Sequence, residues 1–312
     1  MRFSKPNISV NINVRDRIDL IFASGWVSIG KYMEELEGYF RKQCGVKHAI
    51  ACGSCTQGLL IAMQAAGWKG RKVAVPAFTW PSTIYAIETS GNTPVYCDIT
   101  QDSWQIDLKT ATTSYDKVVP VDTFGNECPT YAGSIYDAAH GYGLGALGKR
   151  GDAEVVSFSH TKPVTACEGG MILTNSDGIA ERATELRRLT SRMGEVNALV
   201  ALTSIQQYDD NIAAKKSVIR KYMSELKFDK TTQLFANDMN LSVFAILLEN
   251  HQMREDVVGA FKEDGIETKV YYEPIVSGLP VTDDIYSRII ALPTYYGVDC
   301  DRVIRVANEA VK

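Results

Sequence analysis

A lysine and an aspartate follow two apolar segments in the middle of the chain. Lys162 comes shortly after the run Val155–Phe158, and Asp137 lies at the end of a run that begins at Ile135. Pyridoxal 5'-phosphate (PLP) needs both groups from a protein, because an amine binds its carbonyl carbon and a carboxylate pairs with its protonated pyridine nitrogen. Most lysines are solvated surface charges, so the pair indicates this chemistry only together with further residues at compatible spacing.

Small residues at Gly53–Leu59 join an apolar segment to a predicted helix. Such residues let backbone N–H groups approach an anion, and the N-terminal end of a helix favours negative charge. A phosphate would suit this position, beside Thr56 and Gln57. The alternative is an ordinary helix cap made by the side chain of Ser54 or Thr56.

An aromatic residue follows the next predicted strand. Trp80 lies in Pro76–Thr83, between a strand and a helix. A flat cofactor ring needs an aromatic platform, and Trp80 is placed to supply one. The alternative is a tryptophan packed into the core at the edge of the sheet.

Composition excludes several classes of function. The chain has 312 residues and a formal net charge of −4, and its pI is about 5.7. Without a basic run, neither a nucleic acid nor an anionic membrane surface is an expected partner. The opening residues form no apolar signal segment and no stretch is apolar enough to span a bilayer, so we expect a cytoplasmic protein.

The cysteines indicate neither a disulfide framework nor a metal site. Their number is seven, which is odd, and they are scattered along the chain. Cys52 and Cys55 have C-x-x-C spacing, but no second such pair and no closely spaced histidine pair accompanies them. We therefore expect no bound metal and no dithiol chemistry.

The region from about residue 45 to 175 alternates apolar runs with helix-like segments, which predicts an α/β fold with a mainly parallel sheet. Helices are predicted at Thr56–Ala66 and Pro81–Thr89. The predicted strands are Lys72–Phe78, Pro94–Thr100, Lys117–Phe124, Ser134–Ala139, Ala153–Ser159 and Gly170–Thr174.

The pattern changes after about residue 177, and a large domain (1–215) followed by a small α+β domain (216–312) is predicted. Helices are predicted at Asp177–Leu189, in one or two pieces across 197–226, at Arg254–Asp264 and from Asp301 onward. Strands are predicted at Leu241–Leu248 and Glu267–Tyr272.

Six motifs, taken in order, resemble those of the DegT/DnrJ/EryC1/StrS family. They are G-S-C-T, PAFTWPST, PVYCDI, VPVDTFG, YDAAH and SFSHTK…EGG. The segment Ala23–Gly30 is also similar to an N-terminal signature of that family. These are fold-type-I PLP enzymes, mostly nucleotide-sugar aminotransferases. The resemblance implies an aspartate-aminotransferase-like large domain, with a mainly parallel seven-stranded sheet between helices.

The resemblance also implies a role for each residue of the site. Lys162 would form the Schiff base with PLP and, once released, carry a proton between cofactor and sugar carbon. Asp137 would pair with the pyridine nitrogen, His140 would hydrogen-bond the ring hydroxyl, and Trp80 would stack on the ring. The phosphate would be held by Thr56, Gln57 and Ser157.

The implied reaction is a ping-pong transfer of an amino group, with glutamate as the expected donor and a keto-sugar nucleotide as acceptor. The resemblance further implies a homodimer with active sites at its interface. His160 raises dehydration as a rival reaction, because one branch of the family carries histidine in place of the lysine. Here the lysine position keeps Lys162, which favours amino transfer.

Two segments depart from the family pattern. The chain is short after Arg188, and Thr190 stands where the family's N-x-R-M motif has asparagine, although Arg192 is present and could still reach the partner's phosphate. The family's H-Y-x-P-x-H segment appears as Tyr271–Ile275, without its histidines. These departures leave two alternatives open: a transaminase or dehydratase acting on a different keto compound, and a non-catalytic PLP-binding descendant.

Overall fold

The computed structural model describes residues 1–8, 11–233 and 242–311. Within these ranges, seven strands follow one another through the first part of the chain. They are β1 (His48–Cys52), β2 (Lys72–Pro76), β3 (Thr93–Cys97), β4 (Lys117–Val118), β5 (Ile135–Ala138), β6 (Ala153–Ser157) and β7 (Gly170–Thr174).

These strands form two ladders, with the orders β1-β7-β6-β5 and β3-β2-β4. A parallel bridge between Val121 and Asp137 joins the ladders into one surface. β7 is antiparallel to both of its neighbours, whereas the other pairs are parallel, so six strands run in one direction. The predicted α/β class with a mainly parallel seven-stranded sheet is confirmed.

Helices cover both faces of this sheet. Successive side chains of a strand point to opposite faces, and Val155 packs in one apolar core while Val156 packs in the other. On the Val155 side lie α3 (Cys55–Ala65), α4 (Pro81–Thr89) and α5 (Asp177–Thr190), and on the Val156 side lie α1 (Ile12–Ser24), α2 (Lys31–Cys44) and α6 (Glu195–Gln206).

Two glycines allow α3 to approach the sheet closely. A Cβ on Gly58 would lie 2.7 Å from Cγ1 of Val155, and one on Gly170 would lie 2.8 Å from the backbone nitrogen of Cys55. Neither distance is possible for a real side chain. The first turn of α3 is therefore held against β6 and β7, at the edge of the sheet where the candidate site lies.

The C-terminal part contains a second, antiparallel sheet of β8 (Thr231–Thr232), β9 (Phe244–Leu247) and β10 (Ile289–Leu292), in the order β10-β9-β8. Its helices are α7 (Tyr208–Glu225), α8 (His251–Glu263), α9 (Pro280–Arg288) and α10 (Cys300–Ala310). Residues of α7, α8 and α10 form one core with this sheet. The predicted boundary at 215/216 lies inside α7, and the division into two domains stays a prediction.

Several predicted elements differ from the structure. The strand predicted at Lys117–Phe124 ends at Val118, because Pro120 has no N–H to donate and a 3-10 turn follows at Thr123–Gly125. The strand predicted at Glu267–Tyr272 is wrong. Only Lys269 forms a bridge, with Ala291, and the N–H of Glu267 is bonded to the carbonyl of Met1 instead.

Other predictions are close to the structure or incomplete. The long helical region 197–226 consists of two helices, α6 and α7, which meet at Gln207. Leu241, the predicted start of a strand, lies outside the described residues. The predicted strands and helices do not include β1, β8, β10 or three helices, α1, α2 and α9.

Candidate active site

The carboxyl ends of β5 and β6 place the candidate residues at one edge of the sheet. The two strands are parallel, with Asp137 opposite Val155, so Asp137 and Ser157 end neighbouring strands. The chain then turns, with the N–H of Lys162 donating to the carbonyl of Ser159 over 3.0 Å. Parallel strands end at a common edge, which brings these residues of separate motifs together.

Lys162 is half-buried, and its Nζ lies 2.8 Å from Nε2 of His140. Burial lowers the pKa of Lys162 to about 8, although the negative charge of Asp137 acts in the opposite direction. A lysine with this pKa has a substantial fraction of free amine near neutral pH. The structure therefore provides a nucleophilic amine at the position that the sequence predicts.

Asp137 is a buried carboxylate held by two hydrogen bonds. Its Oδ2 accepts from the hydroxyl of Thr83 over 2.6 Å, and its Oδ1 accepts from the N–H of Ala139 over 3.1 Å. Burial raises the pKa of Asp137, while the two donors and the charge of Lys162 work against that rise. A cationic partner would complete the stabilisation of the ionised form.

His140 is buried between Lys162 and the second part of the chain. Its Nδ1 lies 2.6 Å from the hydroxyl oxygen of Ser242, and its ring meets Phe124 edge-on, with 6.1 Å between centroids. Burial and the charges of Lys162 and Lys215 hold the pKa of His140 well below its usual range. The ring is therefore neutral at physiological pH.

Trp80 immediately precedes α4 and is 58% exposed. Its ring meets Tyr272 edge-on, with 6.4 Å between centroids. The alternative of a tryptophan buried in the core is wrong, since more than half of the side chain is open. Asp137 contributes to the raised pKa of Tyr272, so both Trp80 and Asp137 lie near this tyrosine.

The first turn of α3 carries Thr56 and Gln57. The Ser54 hydroxyl caps this helix by accepting from the N–H of Gln57 over 3.2 Å, so the helix cap considered from sequence is present. An anion at this end would compete with Ser54 for that N–H. Ser157 is buried at the end of β6, where its hydroxyl accepts from the N–H of Ser159 over 3.3 Å.

Arg192 does not lie with Lys162. Its side chain is exposed, and its Nε donates to the carbonyl of Arg188 over 2.8 Å. Its neighbour Ser191 accepts a hydrogen bond of 2.9 Å from the N–H of Gly53, just before α3. The backbone of Arg192 is thus close to the start of α3, while its guanidinium is bonded to the last turn of α5.

Sequence reasoning missed three polar residues of this site. Thr83 belongs to a motif that was singled out, and its place in the first turn of α4 was a usable signal. Ser242 and Lys215 come from distant parts of the chain, and the Nζ of Lys215 donates to the carbonyl of Ser242 over 2.7 Å. No local pattern marks these two residues, because only tertiary packing brings them to His140.

The described ranges contain no group of three or more His, Cys, Asp or Glu side chains that could hold a metal ion. Their helices include none that is long and apolar enough to cross a bilayer.

Comparison with known proteins agrees with the motifs. The DegT/DnrJ/EryC1/StrS aminotransferase family model matches residues 11–311. The chain is 27% identical over 334 residues to UDP-2-acetamido-2-deoxy-3-oxo-D-glucuronate aminotransferase of Pseudomonas aeruginosa, covering 92% of this chain and 93% of that protein. It is 28% identical over 366 residues to GDP-perosamine synthase of Caulobacter vibrioides, covering 98% and 99% respectively.

A solved structure has the same fold. The crystal structure of DesI in the presence of its TDP-sugar product superposes with a TM-score of 0.88, at 26% identity, covering 98% of this chain and 92% of that one. The predicted aspartate-aminotransferase-like fold is confirmed by this similarity together with the sheet described above. The chain belongs to the DegT/DnrJ/EryC1/StrS aminotransferase family.

Proposed function

We propose that the protein is a PLP-dependent aminotransferase that transfers an amino group to a keto-sugar nucleotide. The observation that carries this proposal is the half-buried Lys162 amine, 2.8 Å from His140, at the same sheet edge as the buried Asp137 carboxylate. Family membership over residues 11–311 supports the same reaction class.

The donor set of this edge fits PLP. When bound, this cofactor supplies an electrophilic carbonyl and a ring that accepts electrons from the reacting carbon. Lys162 would hold it covalently, and Asp137 would hold the proton on its pyridine nitrogen. Trp80 offers an exposed ring face for stacking. For the phosphate, the start of α3 offers Thr56 and Gln57, and the end of β6 offers Ser157.

The chain's own groups divide the work of proton transfer. Lys162 Nζ, as a free amine, would move the proton of the donor's α-carbon to the cofactor carbon in the first half-reaction. In the second it would move a proton from the cofactor carbon to the sugar carbon. Thr83 and Ala139 donate to the oxygens of Asp137, which opposes the rise in its pKa that burial causes. His140 is neutral and would hydrogen-bond the ring hydroxyl, so the cluster would not add a second positive charge beside Lys162.

The acceptor class follows from the relatives. The proteins named above act, by their names, on a UDP-linked 3-oxo sugar acid and in the synthesis of GDP-perosamine. A keto-sugar nucleotide is therefore the proposed acceptor and glutamate the proposed donor. Amino transfer is favoured over dehydration because the lysine is retained and contacts His140, whereas His160 is exposed.

We also propose that the protein acts as a homodimer. Large apolar side chains are exposed on α1 and in the turn after it: Ile12, Leu20, Phe22, Trp26 and Val27. That turn is bonded to the segment beside Arg192, since Ser28 pairs with Gly194. A second copy covering this surface would place its own residues near the start of α3, and Arg192 could then reach the phosphate of the partner.

A cytoplasmic location stays a prediction, which cell fractionation would test.

Visible absorbance tests the proposed function. Purified protein with added PLP should develop the absorbance band of the lysine-bound cofactor, and excess glutamate should convert it to the absorbance of the aminated form. Lys162→Ala should show neither change and no turnover. Lys149→Ala is the matched control, because Lys149 is exposed and its Nζ donates to the carbonyl of Gly145 on the surface.

Product analysis then identifies the reaction. Protein first treated with glutamate and then freed of it should convert a keto-sugar nucleotide into an amino sugar, as detected by mass spectrometry. Formation of a deoxy sugar without nitrogen would instead favour dehydration. Unaltered amino transfer by Lys162→Ala would overturn the assignment of the lysine, and a stable band that no amine donor changes would favour the non-catalytic alternative.

A further inference from the structure

A second lysine lies on the far side of His140 from Lys162. The Nζ of Lys215, on α7, donates to the carbonyl of Ser242 over 2.7 Å. The hydroxyl of Ser242 lies 2.6 Å from Nδ1 of His140, and Nε2 of His140 lies 2.8 Å from Nζ of Lys162. The two amines are therefore joined through one serine and one imidazole, and both line the same small cavity of about 60 Å³.

The two lysines influence each other electrostatically. Burial and, to a smaller extent, the nearby positive charge of Lys162 together lower the pKa of Lys215 to about 8. Such repulsion is mutual, so a charged Lys215 also disfavours protonation of Lys162. Lys215 has the same effect on His140, whose pKa is held low partly by its charge.

Among the described residues, ionisable groups from three further parts of the fold also lie near Lys162. The negative charge of Asp137, on β5, favours the protonated form of Lys162, whereas the thiol of Cys55, on α3, stays neutral because burial raises its pKa well above the usual range. On the cavity side, Lys5 from the N-terminal segment and His160 are exposed to solvent, where salt and water screen their charges. Lys215 is therefore the cation best placed to offset Asp137.

We propose that Lys215 is a positioning residue for the reaction, which fixes Ser242 against His140 and keeps both His140 and Lys162 uncharged. This inference rests on the function proposed above for Lys162. A neutral His140 that accepts from Lys162 at Nε2 carries its proton on Nδ1 and donates it to Ser242. By holding the carbonyl of Ser242, Lys215 keeps the hydroxyl of Ser242 in place and so fixes the orientation of the His140 ring.

The test measures the ionisation of Lys162 in protein without cofactor. The rate of acetylation of Lys162 by trace acetic anhydride would be followed by peptide mass spectrometry between about pH 6 and about pH 10. Lys215→Met removes both charge and donor, Lys215→Gln removes the charge but keeps a donor, and Lys215→Arg keeps both. Lys216→Met, one residue further along α7, is the matched control.

The parent protein should give a labelling midpoint near 8. Lys215→Met and Lys215→Gln should raise that midpoint by about one pH unit, whereas Lys215→Arg and Lys216→Met should leave it near the parent value. If Lys215→Met does not fold, the comparison of Lys215→Gln with Lys215→Arg still tests the proposal. Equal midpoints in all variants, or an equal rise in Lys215→Arg, would overturn the proposal.

A second readout separates this inference from the proposed function. In the PLP-loaded protein, the rate of the glutamate half-reaction falls at low pH. The pH at which it falls should be higher in Lys215→Gln than in the parent, and close to the parent value in Lys215→Arg. The labelling experiment does not need PLP, so it can succeed or fail independently of the proposed function. If the variants shift the labelling midpoint but the protein never binds PLP, the link between the lysines is supported and the proposed function is overturned. If the protein turns over with PLP but the midpoint does not shift, the function is supported and the link between the lysines is overturned.

Discussion

The Thr83 hydroxyl donates a hydrogen bond of 2.6 Å to Oδ2 of Asp137, and both residues are buried. The hydroxyl of Thr79 lies 3.1 Å from that of Thr83, and because Thr83 gives its proton to the carboxylate, Thr79 is the donor of this second bond. The carboxylate that would meet the cofactor is thus oriented by a short hydroxyl chain from the start of α4. An unpaired carboxylate at this depth would otherwise tend to take up a proton.

Thr83→Val should weaken PLP binding by about tenfold, because a hydrogen bond to a charged group is worth about 1.5–3 kcal/mol. Valine has nearly the same shape, so packing is kept while the donor is lost. Without that donor the pKa of Asp137 rises further, and less of the carboxylate is ionised to pair with a protonated ring. An absorbance titration with PLP measures the change.

Thr83→Ser is the matched control, since it restores the hydroxyl and removes only a methyl group. It should bind PLP nearly as well as the parent protein. Equal weakening by serine and valine would mean that packing, and not the hydrogen bond to Asp137, accounts for the effect.

The pKa of Lys162 predicts how PLP capture depends on pH. A lysine whose pKa is lowered to about 8 gains its free amine as the pH rises through that value. At pH 7 about one tenth is then in the amine form, compared with less than about one thousandth for an ordinary lysine. The rate of PLP capture by the apoprotein, corrected with a free lysine derivative, should therefore rise up to about pH 8 and level off above it. A corrected rate that keeps rising to pH 10 would contradict the lowered pKa.

Much of the site was predictable because its residues belong to short local motifs. Lys162, Asp137 and Trp80 each follow an apolar strand, and buried strands give a clear sequence signal. The positions of Ser242 and Lys215 were not predictable, since nothing near them in sequence indicates that they meet His140. Gln57 shows a second limit. Its motif was identified, but only the structure shows that Ser54 already uses its N–H.

The sheet was easier to predict than the helices at the N-terminal end. Continuous apolar runs mark the strands because both of their faces are covered. In α1 the periodicity is blurred, since Ile12, Leu20 and Phe22 are exposed while Val14 and Ile21 are buried. A helix with apolar residues on several sides lacks the single stripe that marks an amphipathic helix.

Mutation of a buried ion cluster should lower the stability of the protein much more than mutation of an exposed ion pair. Arg150 lies 2.7 Å from Asp122 and 2.6 Å from Glu154, with all three side chains at most 1% exposed. Arg150→Met would leave two buried carboxylates unpaired, so the free energy of unfolding should fall by about 3–5 kcal/mol. Urea unfolding measures this quantity. Arg182→Met is the control, because Arg182 and Glu185 are more than half exposed and such pairs contribute about 0–1 kcal/mol. Similar losses in both variants would contradict the prediction.

The exposed apolar surface of α1 should mediate self-association. Phe22 is 63% exposed, and Leu189, near Arg192, is 81% exposed. Phe22→Asp and Leu189→Asp should each weaken the dimer by at least about tenfold, because a charge would be buried without a partner. Light scattering coupled to size exclusion should show the parent at twice the 34.4 kDa chain mass and these variants shifting toward that mass on dilution. Met223→Asp, at an exposed position on α7, should leave the dimer intact. A fully active parent that remains monomeric would exclude an interfacial role for Arg192.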